Sequence, residues 1–209
     1  MRRLLPTLIM VLVLAAAAAP AAQGVERWHG VYRGKSVRAT FAGTDGACLA
    51  TEVGVFALAS TIQWLPGTPY HDANLWIAVA QVDTCTGREV LRAYGYASGA
   101  AVAVHPSLRA GAARASLQVY DWVSFSWLPV EVDLAWAATG DPARERAQTV
   151  EHGDRYVLFA HHAGTIQPAT AAGGVTLGGA NLAAAGTDVA EIVATRDGEL
   201  FVAPHNDPD

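Results

Sequence analysis

Beyond Val25 the chain alternates apolar and polar residues with a period of two, the spacing that turns one side of an extended strand to a core and the other to water. From Lys35 to Phe41, residues Val37, Ala39 and Phe41 share one face and Ser36, Arg38 and Thr40 the other. Val53, Val55, Ala57 and Ala59 run in phase, and the pattern then breaks at the proline-containing loop from Trp64 to Asp72. Leu75, Ile77 and Val79 resume it, with Trp76 and Ala78 opposite. Asp83-Thr-Cys-Thr-Gly87 has the residues of a tight reversal, so 74–96 reads as a hairpin. A second hairpin pairs Ala113, Ala115, Leu117 and Val119 with Val130, Val132, Leu134 and Trp136, whose polar neighbours fall on the other face. Shorter strands are expected near 154–162, 174–178, 187–195 and 199–203. Asp141-Pro142 suits a helix start, but 143–150 has no continuous apolar stripe, so one surface turn is the most expected there. Glycine pairs at 173–174 and 178–179 mark bends between edge strands. The sum predicts an all-β chain, one antiparallel β-sandwich or partly open barrel over residues 22–209.

The first residues have a different grammar. Met1-Arg2-Arg3 is basic, Leu4 to Leu14 is apolar, and Ala19-Pro20-Ala21 offers a small-residue cleavage site. This is the layout of a secretory signal peptide over 1–21, with a boundary uncertain by a few residues. Its strongly apolar part is about half the ~20 residues that cross a bilayer, so a cleaved leader is expected rather than an anchor. A secreted, periplasmic or extracellular chain follows, not embedded in a membrane once mature.

Composition narrows the function classes. With 52% apolar and 16% charged residues among 209, a disordered or fibrous chain is excluded. Removing Arg2 and Arg3 leaves 12 basic residues against 19 acidic, about −7 where the full chain has −5, which argues against a nucleic-acid partner. In an oxidising compartment the two cysteines, Cys48 and Cys85, read as a disulfide worth roughly 3–4 kcal/mol by loop entropy. A free pair or a metal site are the rivals, and with no adjacent histidine the zinc signature is poor.

Four segments in order, Val53-Gly-Val-Phe56, Asp83-Thr-Cys-Thr-Gly87, Val119-Tyr-Asp-Trp-Val123 and Val132 to Gly140, resemble a group of short secreted β-rich bacterial proteins of unassigned function. The likeness spans about residues 31–180. It implies export and a β-rich fold and brings no catalytic residues.

Candidate chemistry is sparse. His161 and His162 are adjacent and, on a strand, point to opposite faces. There is no H-E-x-x-H or G-x-S-x-G; Gly95-Tyr-Ala-Ser98-Gly99 has its serine one place late. No metal ligand set, catalytic group or cofactor is assigned. Ser124 or Ser126 with a histidine, and His71, His152 or His161, are the positions a dispersed hydrolase site would use. Aromatic residues offer a stronger lead. Trp64 and Tyr70 share a loop with His71 and Asp72, while Tyr120, Trp122, Phe125 and Trp127 crowd a reversal. A flat aromatic face beside carboxylates suits the C–H face of a sugar ring; Trp122 and Trp127 read first as closing the ends of the core, and Trp64 and Tyr70 fit either role. The expected function is a non-enzymatic binding module for a glycan or an extracellular protein, with Trp64, Tyr70, His71, Asp72 and Trp122 as ligand-binding candidates. A secreted hydrolase is the alternative, and a structural component of the cell surface a third possibility.

Overall fold

The computed structural model describes residues 25–44, 47–65, 67–104, 106–154, 156–182 and 187–204, so the proposed leader lies outside the described residues. Among the described residues eleven strands follow one another: β1 (Val25–Thr44), β2 (Leu49–Leu65), β3 (Tyr70–Asp83), β4 (Arg88–Ser98), β5 (Val102–Val104), β6 (Ala110–Asp121), β7 (Ser126–Ala138), β8 (Ala143–His152), β9 (Val157–Leu177), β10 (Ala180–Asn181) and β11 (Thr187–Pro204). A 3-10 turn, Gly99–Ala101, separates β4 from β5. No helix of the described residues is long and apolar enough to cross a membrane.

Every pairing is antiparallel, and the pairings close on themselves. The circuit runs β1–β2–β3–β4–β6–β7–β9–β11 and back to β1. Its shortest seam joins β4 to β6 through three residue pairs, Ala93 to Gly95 against Asp121 to Val119, and β5 continues that seam along β6. The ring is flattened rather than hollow. A methyl at Gly111 of β6 would come within 2.5 Å of Val37 Cγ1 on β1, and Trp136 of β7 donates its indole N–H to the Arg38 carbonyl of β1 at 2.9 Å. Opposite walls thus touch, as in a sandwich. The alternation read from sequence supplies the filling: Val37, Phe41, Val53, Leu75, Ile77, Val119, Val130, Leu134 and Ile192 are all buried inside.

Cys48, before β2, and Cys85, in the β3–β4 turn, lie at disulfide distance, with Cα atoms 5.3 Å apart. Asp83 holds that turn by accepting hydrogen bonds from the Cys85 and Thr86 N–H groups, which keeps its carboxyl below the ordinary value. Asp83 and the two cysteines are close enough to group as metal ligands, but paired sulfurs offer no thiolate.

Three expectations change. Residues 143–152 form strand β8 instead of a helical turn: the segment lies on an open edge, exposed throughout, so no apolar stripe was needed. The separate strands expected near 154–162 and 174–178 are parts of one 21-residue strand, β9, whose first half pairs with β8 and β11 and second half with β7, and those expected near 187–195 and 199–203 are both parts of β11. Trp122 and Trp127 do not close the core: they are 58% and 64% exposed, packed edge-on against Tyr120.

Candidate functional site

Past Val37 and Ile192 the sheet of β8, β9, β11, β1 and β2 continues beyond the filled interior, so both of its faces carry solvent-accessible side chains. Residues directly opposite in antiparallel strands share a face. On the outer face one row reads His162, Asp197, Tyr32, Ile62, Tyr70; the next reads Glu199, Gly30, Trp64. The middle of these two rows forms a cleft of about 380 Å³ lined by Tyr32, Ile62, Trp64, Asp197 and Glu199, with His162 and Tyr70 outside it at either end of the first row.

Its shape follows from a glycine. The Trp64 ring lies across Gly30, where a Cβ would meet three ring carbons at 2.5–2.8 Å. The indole is therefore laid over the sheet with half its surface free, 51% exposed. Tyr32 forms the second wall. Burial, then the Asp197 carboxylate, pushes its phenol above the usual 10, and a hydrogen bond with Thr195 pulls the other way. Glu199 makes no ion pair among the described residues. Asp197 is held by His162, whose Nδ1 lies 2.5 Å from Asp197 Oδ1 while its Nε2 lies 3.1 Å from Glu145 Oε1. Those two carboxylates, Glu145 first, raise the imidazole above 6.5 and stitch β8, β9 and β11 together.

The residues expected to bind ligand are divided by the pleat. Trp64, Tyr70 and Asp72 share the outer face, with Tyr70 beside Ile62 and diagonal to Trp64. Asp72 accepts a hydrogen bond from the Asn74 amide at 2.7 Å. His71 points inward and bonds Thr61 through Nδ1 at 2.9 Å. Trp122 is not with them: its N–H bonds the Arg92 carbonyl, level with Ala80 and ten residues along β3 from Tyr70, ~33 Å at the rise of a strand. Clustering on one exposed face thus holds for Trp64 and Tyr70 and fails for Trp122. The hydrolase positions are also dispersed. Ser124 and Ser126 bond each other at 2.7 Å, and Ser124 bonds Asp121 rather than a histidine. His161 and His162 take opposite faces, as adjacent strand residues do: His161 lies across Gly198 and His162 reaches the outer carboxylates.

Sequence reading missed Tyr32, Ile62, Asp197, Glu199 and His162. The alternation of Asp197 and Glu199 with Arg196 and Gly198 was visible, but their meeting Trp64 depends on β1 lying between β2 and β11, which no local pattern encodes.

No family model matches the chain, and no curated protein does. Among solved structures, an acetoacetate decarboxylase-like enzyme from Sphingomonas wittichii RW1 is similar over 90% of this chain and 94% of its own, at 10% identity and a TM-score of 0.29, a level that carries neither fold nor activity to this chain.

Proposed function

We propose that this chain is an exported, non-enzymatic binding module that takes a neutral glycan in the outer cleft. One observation carries the reading: a half-free indole face, Trp64, stands beside an unpaired carboxylate, Glu199, with Tyr32 and Asp197 completing the walls. A pyranose ring has a C–H face that packs on an indole and hydroxyls that donate to carboxylates, so this combination matches both sides of a sugar. The volume of the cleft suits one or two sugar residues. Export rests on the leader-like start and agrees with a cysteine pair at disulfide distance.

A neutral glycan array followed by titration of the best hit tests this. Trp64→Ala and Glu199→Gln each weaken binding at least about tenfold, ~1.4 kcal/mol, without shifting the unfolding midpoint. Affinity that survives both changes, or an array with no hit, removes the glycan reading.

A further inference from the structure

The other face of the same sheet has the opposite charge. Its two rows behind the outer cleft carry Arg146, Arg196 and Arg33 in one and Arg144 and Lys35 in the other. All five side chains are exposed, and none takes an ion pair among the described residues. No carboxylate stands in either row; Glu145, Glu151, Asp197, Glu199 and Glu191 of these strands fall on the outer face. By contrast, the arginines that are ion-paired, Arg38 with Glu191, Arg92 with Glu89 and Arg114 with Asp133, all point outward. An acidic chain has gathered five unpartnered cations on one inner surface.

That placement is unfavourable by itself. Arg33 and Arg196 are direct cross-strand partners, and like charges directly opposite destabilise a sheet. The arrangement makes physical sense when an anion sits between them. Space exists for one. Arg33, Lys35 and Arg196 line a cleft of about 640 Å³ at the mouth of the ring, with Val104, Pro106, Thr61 and His71 around it; Asp72 also borders it, its carboxylate taken up by the Asn74 amide on the outer-face register. Arg196 also walls two neighbouring clefts, of about 530 and 340 Å³, that contain Arg146 and Arg144. The cations extend over three strand spacings, ~14 Å, instead of converging on a point.

We propose that the mouth of the ring is a second binding site, separate from the outer cleft, for a multiply charged anion of small-molecule size bearing at least two carboxylate or phosphate groups. Guanidinium groups match both acids bidentately, so the shared chemistry is a pair of oxyanions spaced to bridge Arg196 to Arg33 and Lys35 on one side and to Arg146 on the other.

Calorimetric titration of the full chain at low salt tests it, with two probes, inorganic pyrophosphate and a trimer of galacturonic acid, beside a neutral glucose trimer. At least one anion binds at one site per chain and weakens as salt is raised, because exposed charges are screened over about 10 Å at 0.1 M. The tighter of the two tells phosphate esters from sugar acids. Arg196→Gln and Arg33→Gln each weaken binding about tenfold or more with unchanged unfolding midpoints, while Arg114→Gln has no effect. Amide signals of Ala163 and Ala194, which lie among the cations, shift on titration of the wild type. No binding of either anion at millimolar concentration, or affinity unaltered in both inner-face variants, overturns the proposal.

Discussion

Where β8, β9, β11, β1 and β2 lie side by side, alternate residues of the same strands build two unlike surfaces. Outward, an indole and a phenol stand among carboxylates, and a histidine is clamped between two acids. Inward, within four residues, the row that holds Val37 and Ile192 in the core gives way to Lys35 and Ala194 and then to Arg33 and Arg196. Charge is thus sorted by the pleat and not by position along the chain: Arg144, Glu145 and Arg146 are consecutive, and the glutamate alone faces out. Total charge is a poor guide to such a molecule. A value of −5 argues against a large polyanionic partner, and it conceals two adjacent cross-strand rows that hold five cations and no acid.

Cutting the inner face where it is still core has the largest expected effect. Trp136 is 2% exposed and ties β7 to β1 through its indole N–H, so Trp136→Ala removes both the filling and the strap across the flattened ring. A loss of about 3–5 kcal/mol is expected, read as a fall in the denaturant midpoint. A loss under about 1 kcal/mol would mean that the two walls do not share one packed interior, and the contrast between filled and open halves would fail.

Much of this interior was legible. Val37, Ala39 and Phe41, the β3–β4 hairpin and the β6–β7 hairpin all follow from period-two alternation, because one-sided burial leaves a strong signal. Strand β8 left none, since an edge strand exposed on both faces needs no apolar stripe. The buried polar residue at the β6–β7 reversal was equally silent. Asp121 is 2% exposed; burial pushes its carboxyl up, but hydrogen bonds from Ser124 and from the N–H groups of Val123, Arg92 and Ser124 hold it below the ordinary value. The sites were half legible. Trp64 stood out as an aromatic in a proline-containing loop, whereas its partners arrive from β1 and β11, more than a hundred residues apart in sequence. Only closure of the ring brings them together.

A smaller effect should separate the two faces. Gly30→Ala places a methyl where three carbons of Trp64 lie, but that ring is half exposed and has room to swing outward. Stability should therefore change by less than about 1 kcal/mol, below the usual penalty range for overpacking a rigid core. The displaced indole loses its seat, so the neutral glycan weakens about as much as in Trp64→Ala, while pyrophosphate affinity at the inner face is unaltered. Equal weakening of both ligands would show the two clefts to be one coupled site.

The smallest effect concerns His162, the cation that balances the outer acids. Its hydrogen bonds to Glu145 and Asp197 favour the protonated ring, so its folded value lies above 6.5. A raised folded value means that the stability this group contributes is complete below 6.5 and disappears as pH rises through the folded value. Raising the pH across that window should lower the unfolding midpoint slightly, since the ring is solvent-accessible and its ion pairs are screened. Histidine signals followed by NMR give the direct measurement: His162 titrates above 6.5, and Glu145→Gln moves it back toward that value by removing the largest cause. A wild-type His162 titrating at or below 6.5 would contradict the clamp. Deprotonation also leaves Asp197 without its counter-charge beside Trp64 and Glu199, making the outer cleft more acidic. The outer ligand's affinity should therefore drift across this pH range.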